Sequence, residues 1–184
     1  YLVISDGRLV WVQDLYTVTD RYPYSTPAFT QRLNARNATL PADFNYVRNS
    51  VKATVDAYDG DITFYVVDEE DPVIRAYRGL FPALFTPLAE MPDSLINNLR
   101  YPEDLFRVQG DMYTLYHVTD PRVFINDGDL WQIARNPSTT PAEALRFAFP
   151  DGNRPMVPYY LLMRLPGEPD LSYLAMQPFT AATR

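Results

Sequence analysis

The chain has no cysteine. That removes thiolate metal sites, cysteine nucleophiles and dithiol redox motifs. It leaves the compartment open, because disulfide-free proteins occur on both sides of a membrane. There is one lysine, Lys52, and the arginines are scattered, most within a few residues of an acid. With a net charge of -7 the chain lacks the clustered basic surface that tracks phosphates, so the reading includes no nucleic acid. Arg32 with Arg36 is the one local basic pair in a polar loop. A single histidine, His117, and the absence of a Gly-x-Ser-x-Gly run leave a Ser-His-Asp nucleophile without support. Seven glycines occur, none in a Gly-x-x-x-x-Gly-Lys or Gly-x-Gly-x-x-Gly frame, which argues against a nucleotide cofactor. No apolar run approaches the ~20 residues that cross a bilayer. The densest, Tyr159 to Met163, is strand-length.

What is present describes a folded domain. Of the 184 residues 47% are apolar, too many for a disordered tail. A chain of this size buries roughly 70% of its unfolded surface and needs no staple. The length fits one domain, or one with a small appendage. The chain opens on Tyr1 in strand-like sequence and stops at Arg184 soon after Tyr173 to Phe179. The expectation is a soluble segment excised from a longer polypeptide.

Turn chemistry and periodicity place the elements. Leu2 to Ile4 and Leu9 to Val12 flank Asp6-Gly7, a two-residue hairpin signal. Tyr16 to Tyr22 reads as a third strand, stopped by Pro23 and Pro27. Val51, Ala53, Val55 and Ala57 alternate with Lys52, Thr54 and Asp56, then turn at Asp59-Gly60 and return through Ile62, Phe64 and Val66. Asp71-Pro72 opens a helix to about Leu80, since aspartate caps free N–H groups and proline suits the first turn. Further helices are expected from Pro92-Asp93 to Leu99 and from Pro102 to His117. The second carries an apolar stripe of Leu105, Val108, Met112 and Leu115/Tyr116. Gly110 inside it costs ~1 kcal/mol against alanine and marks a close approach. Asp120-Pro121 repeats the cap signal over Arg122 to Asn126. Leu130 to Ala134 is extended. Tyr159 to Leu165, apolar on both faces except at Arg164, reads as a central strand, linked to the strand Leu171 to Gln177. Loops cover 25–45 and 135–158, the latter with a helical turn at Glu143 to Phe147. The fold class expected is α+β: an antiparallel sheet built from hairpins 1–22, 51–67 and 159–177, with three or more short helices packed on one face.

Several runs carry a family likeness: Tyr-Leu-Val-Ile-Ser-Asp-Gly-Arg-Leu-Val-Trp11, Asp-Arg-Tyr-Pro-Tyr-Ser25, Tyr-Val-Arg-Asn-Ser-Val-Lys52, Val-Asp-Ala-Tyr-Asp-Gly60, Arg-Tyr-Pro-Glu-Asp-Leu-Phe106, Tyr-His-Val-Thr-Asp-Pro121, Asp-Leu-Trp-Gln132 and Gln-Pro-Phe-Thr180. In this order they resemble uncharacterised protein family 0182, a group of large bacterial integral membrane proteins. The likeness covers residues 1–24, 46–134 and roughly 159–180. It implies transmembrane helices upstream, and a large region outside the cytoplasm of which this chain is the later part. It implies no enzyme activity. It also implies that the polypeptide continues past Gln-Pro-Phe-Thr180 into further structure.

The acids are the remaining candidates for chemistry. Asp56, Asp59 and Asp61 surround a turn and are the candidate calcium ligands, although hard cations take six to eight oxygens and the EF-hand spacing is missing. Turn chemistry and helix capping explain these acids more simply. Asp68-Glu69-Glu70-Asp71 could join Asn126, Asp127 or Asp129 around a cation if the fold gathers them. Glycan hydrolysis needs two carboxyls ~5–9.5 Å apart, for which Glu69, Glu70, Glu103 and Asp104 are candidates beside the many tyrosines. Each has a cheaper explanation as helix-terminal charge. His117, near a helix end, is expected to bond a carbonyl or Asp120. The reading that follows is a non-catalytic extracytoplasmic module with no cofactor. Its partners are its own upstream transmembrane region, or an envelope protein or polymer. Glycan handling is the alternative, and calcium response the third.

Overall fold

Asp6 and Gly7 both hold positive φ, 49° and 79°, which a type I′ turn requires at its two centres. They join β1 (Leu2–Ser5) to β2 (Arg8–Thr19). The structure is a computed structural model describing residues 1–28, 40, 43–126, 128–136 and 155–182. The expected helical turn at Glu143 to Phe147, the pair Arg32 and Arg36, and most of both long loops lie outside the described residues.

The fold is α+β, and the described residues fall into two compact units, one up to Leu105 and the other from Phe106. In the first, β1, β2, β3 (Tyr46–Asp56), β4 (Ile62–Val66) and β5 (Phe85–Pro87) form one sheet in that order. All pairs are antiparallel except β4–β5. A parallel neighbour needs a crossover, and α1 (Pro72–Leu80) lies between the two strands in sequence. The strand expected at Tyr16 to Tyr22 is the continuation of β2, because Gln13 and Asp14 carry the pairing through to β3. A bulge between Leu15 and Thr17 disturbs that pairing. Bulges re-aim side chains, and here Thr17 and Ser50 come within 3.1 Å of one another.

Strand register sorts the core. Val3, Val10, Val12 and Tyr65 share one cluster with Met91 and with Leu95 of α2 (Asp93–Ile96). Val51, Val66 and Ile74 of α1 form another, with Leu15, Phe64 and Phe85 against it. Val12 pairs with Thr54, and Leu15 with Val51. Residues three apart on a strand point oppositely, so the two clusters lie on opposite faces and α1 and α2 cover one each, where packing of the helices on a single face was expected. A short 3₁₀ turn, Leu88–Glu90, precedes α2.

The second unit contains most of α3 (Glu103–Tyr116), then α4 (Pro121–Ile125), β6 (Trp131–Ile133), β7 (Tyr159–Arg164), β8 (Leu171–Met176) and β9 (Phe179–Ala181). β6 pairs with β9, and β7 with β8, as two separate ribbons. The expected hairpin at 159–177 therefore forms, but not as part of the sheet of the first unit. β9, only three residues long, follows Pro178 and carries too little pattern to be read in advance. Of the α3 stripe Val108 is buried and Leu105, Met112 and Leu115 are half-buried, while Tyr116 at the helix end is exposed. Gly110 is buried, but a Cβ there would lie 3.7 Å from Gln177 Cγ and 3.8 Å from Phe179 Cζ, ordinary contact distances, so the packing does not need a glycine.

Candidate functional site

A row of side chains crosses four strands of the first unit. Leu2 stands opposite Trp11, Trp11 opposite Val55, and Val55 opposite Ile62. Ile4 opposite Leu9 forms a neighbouring pair on the same face. Directly opposed side chains on one face lie within contact reach, so these residues make one continuous apolar strip. It is also wet: Leu2 is 41% exposed, Ile4 67%, Trp11 53% and Ile62 58%. Val12, one residue from Trp11 and on the other face, is 2% exposed. The strip shares its face with Val51 and Val66, which pack with α1. One end of this face is therefore covered and the other is not. Contiguous apolar surface of this kind marks contact with another molecule or segment.

The polar groups nearby are tied to one another. Arg8 grips Asp56 through Nε at 2.7 Å and Nη2 at 2.8 Å, and also pairs with Asp59. Hydrogen bonds from that guanidinium hold the Asp56 carboxyl well below the usual carboxylate range. Buried Lys52 pairs with Asp14. Burial pushes the Tyr16 phenol up, reinforced by Asp14 and Asp104, while main-chain N–H groups of Leu105 and Asp104 oppose them.

Asp71 is the most enclosed acid, with no exposure. Oδ2 accepts from Thr17 Oγ1 and Ser50 Oγ at 2.5 Å each, and Oδ1 from Tyr46 Oη at 2.6 Å and Val73 N–H at 3.0 Å. Burial alone would raise its pKa, but the four donors outweigh it and lower the carboxyl below its ordinary value. Burial, then the Asp71 hydrogen bond, pushes the Tyr46 phenol up to about 12.

A family model described as an uncharacterised protein family (UPF0182) matches residues 1–184. The chain belongs to UPF0182. A "UPF0182 protein" of Methanospirillum hungatei is 48% identical over 180 residues, covering 98% of this chain and 18% of the relative. Those of Geotalea uraniireducens and Pelobacter propionicus are 43% and 44% identical over 185 residues, covering all of this chain and 18% of each relative. The chain thus spans about a fifth of the length of these UPF0182 relatives. No solved structure matches it.

Within this UPF0182 segment the acids singled out from sequence have local tasks. Asp56 is held by Arg8 and caps its turn, accepting Tyr58 N–H at 2.8 Å. Asp59 shares Arg8, and Asp61 accepts the Asp56 N–H through its carbonyl at 3.0 Å. Asp68 pairs with Arg48 at 2.9 Å and Glu69 with Arg78 at 3.5 Å, while Glu70 is exposed on the turn before α1. Glu103 and Asp104 occupy the first turn of α3, where the macrodipole favours anions. Asp120 caps α4 by accepting Arg122 N–H at 2.8 Å, and Asn126 Nδ2 donates to Arg122 O at 2.7 Å. Asp127 lies outside the described residues. Among those described, no three acidic or histidine side chains gather to hold a metal ion.

His117 is a packing residue. Its ring stacks on Trp131 with centroids 4.0 Å apart, its Nδ1 lies 3.0 Å from the Tyr113 carbonyl, and the nearest carboxylate is that of Asp129 at 3.9 Å, rather than Asp120.

Sequence reasoning missed the apolar strip as a site. The signal was there: Leu2 to Ile4 and Leu9 to Val12 are apolar at both parities, so both faces of β1 and β2 ask for cover. No helix among the described residues is long and apolar enough to cross a membrane.

Proposed function

We propose that this chain is a non-catalytic docking module of a larger UPF0182 protein, and that the strip Leu2, Ile4, Leu9, Trp11 and Ile62 seats against another region of the same polypeptide. The observation that carries this reading is the continuous apolar row Leu2–Trp11–Val55–Ile62, exposed at Leu2, Trp11 and Ile62 and half-buried at Val55. The length of the relatives supports it, since about four fifths of each lies outside the matched span. The local pairing of the acids also favours docking over catalysis at those residues. The resemblance to integral membrane proteins supports a parent protein in the cell membrane, with this module on the extracytoplasmic side.

The lack of cysteine in residues 1–184 allows single thiols to be placed there, and the test is run in the full-length protein with the unsubstituted protein as background. A thiol at Trp11→Cys is expected to resist maleimide in the native protein and to react on denaturation. A thiol at Tyr58→Cys, an exposed turn position, is expected to react in both. Equal native reactivity at the two positions would end the docking reading. Failure of a membrane-impermeant maleimide to reach Tyr58→Cys in intact cells would end the extracytoplasmic placement.

A further inference from the structure

We infer that the end of α1 and the turn after it, Leu80 to Leu84, rest in the headgroup–acyl boundary of a phospholipid bilayer. The inference stands on the first unit alone and does not use the docking strip.

Gly79-Leu-Phe-Pro-Ala-Leu84 carries no polar side chain, and every residue of it is exposed. Leu80 is 72% exposed, Phe81 52% and Leu84 47%, with Tyr77 at 50% one turn behind. Single apolar residues are ordinary on a surface, but a consecutive run that all faces water is a patch. The base beneath it is fixed. Asp71 caps the start of α1, Ile74 is buried, and Phe85 pairs with Phe64 as β5 begins. The tip is thus an ordered projection, anchored on both sides.

Backbone and charge together select lipid. The Phe81 N–H donates to the Tyr77 carbonyl at 2.8 Å and the Leu84 N–H to the Phe81 carbonyl at 3.1 Å, while Pro82 has no N–H. From Phe81 to Leu84, among the described residues, only the Ala83 N–H is left open. A protein interface uses about one hydrogen bond per 100–200 Å², and this tip offers almost no donor for one. A bilayer asks the reverse, that main-chain groups be satisfied from within. Although the net charge of the chain is -7, the stretch from Pro72 to Ala89 contains no acid and two arginines, Arg75 and Arg78. Arg75 is exposed, and Arg78 reaches Glu69 at 3.5 Å. At 1.5 Å per residue they stand about 8 and about 3 Å behind Leu80 along the helix axis. That matches an apolar face seated ~5–10 Å into the boundary, with cations above it. Arginine stems lie along apolar surface while their heads reach phosphate. Tyr77 supplies the amphipathic ring that gathers at the same level.

The test places a bimane fluorophore in the full-length protein on Leu80→Cys, Leu84→Cys or Arg21→Cys, with the unsubstituted protein as background. Arg21, its side chain 91% exposed, is the aqueous reference. The protein is held in vesicles of phosphatidylcholine and phosphatidylglycerol, with and without a nitroxide high on the acyl chain. Both tip probes are expected to lose at least ~2-fold in emission to the nitroxide lipid and to be shielded from aqueous iodide, while the Arg21→Cys probe does the opposite. Tip probes quenched by iodide and not by the nitroxide would show a wet turn and overturn the proposal. Tip probes reached by neither would show a protein cover, from another segment or a second copy, and would overturn it too. Equal nitroxide quenching at Arg21→Cys would do the same. The docking strip is read separately: maleimide protection at Trp11→Cys beside a wet tip keeps that reading and ends this one.

Discussion

Ser50 donates to the Asp71 carboxylate at 2.5 Å, and neither residue has measurable exposure. The bond ties the middle of β3 to the cap of α1, and Thr17 and Tyr46 bring in β2 and the start of β3. Removing the carboxylate strands these donors in a place water does not reach. A lost N-cap costs ~1 kcal/mol, and each buried donor left unpaired costs roughly 1–3 kcal/mol. Asp71→Ala is therefore expected to lose ~3 kcal/mol or more. Asp71→Asn, which keeps one acceptor, loses less, and Ser50→Ala loses ~1 kcal/mol. Urea denaturation of the 184-residue chain checks the order. An Asp71→Ala chain as stable as the parent would show that the cap contributes nothing.

The same carboxylate contributes to the acid limb of stability. Its folded pKa lies below the unfolded value, which is ~3.9. Folding then gains stability that is fully present above the unfolded value and is lost as pH falls through the folded one. The parent is expected to lose stability more steeply than Asp71→Asn below about pH 4. The alkaline limb has the opposite sense. The Tyr46 phenol is pushed up to about 12, so its stabilising effect holds below the unfolded value of ~10 and disappears as pH rises through about 12. Tyr16 shifts the same way, so Tyr46→Phe is expected to flatten this limb without abolishing it. Denaturation midpoints across pH 2–5 and 9–12 provide the measurement.

This cluster also marks how far sequence carries. Asp71-Pro72 announces a helix cap because both residues act within one turn. That Thr17, Ser50 and Tyr46 would meet it was not legible, since those contacts span 21 to 54 residues and depend on a bulge. The Asp6-Gly7 turn and the α3 stripe were legible because local backbone rules decide them. β5 was not, because three residues carry no period and its pairing with β4 follows from a crossover. The apolar strip lay in plain view as alternation at both parities. Without the fold, though, nothing says which parity α2 covers. Asp56, Asp71 and Asp120 were readable as turn and helix punctuation, because the main-chain N–H groups they accept from lie two residues away.

Trp11 and Val12 are adjacent in sequence and opposite in environment. Trp11→Ser removes an aromatic that solvent already reaches, so the 184-residue chain is expected to change by no more than ~0.5 kcal/mol. Val12→Ala opens a gap between the sheet and α2 and is expected to cost ~2 kcal/mol. In the full-length protein the ranking changes, because Trp11→Ser then also removes a docking contact. Thermal melts of both variants in both contexts separate the possibilities. If Trp11→Ser is as harmful as Val12→Ala in the 184-residue chain, Trp11 is a core residue and the strip is not a free face.

Two glycines of the second unit predict opposite signs. Gly110 sits mid-helix, where alanine is favoured by ~1 kcal/mol. A Cβ there would meet Gln177 and Phe179 at 3.7 and 3.8 Å, ordinary contact distances. Gly110→Ala is therefore expected to stabilise by up to ~1 kcal/mol, raising Tm by a few degrees. At Gly128 a Cβ would lie 2.9 Å from Val123 Cγ1 and 3.3 Å from the Val123 carbonyl oxygen. The main-chain oxygen gives way less readily than a side-chain methyl. That same carbonyl accepts the Gly128 N–H at 2.8 Å, so relief of the clash stretches the hydrogen bond closing α4. Gly128→Ala is expected to cost ~1–3 kcal/mol. Melting curves for the two variants side by side decide it. If Gly110→Ala lowered Tm, the approach of α3 to Phe179 would be tighter than these distances, and packing rather than helix propensity would govern that position.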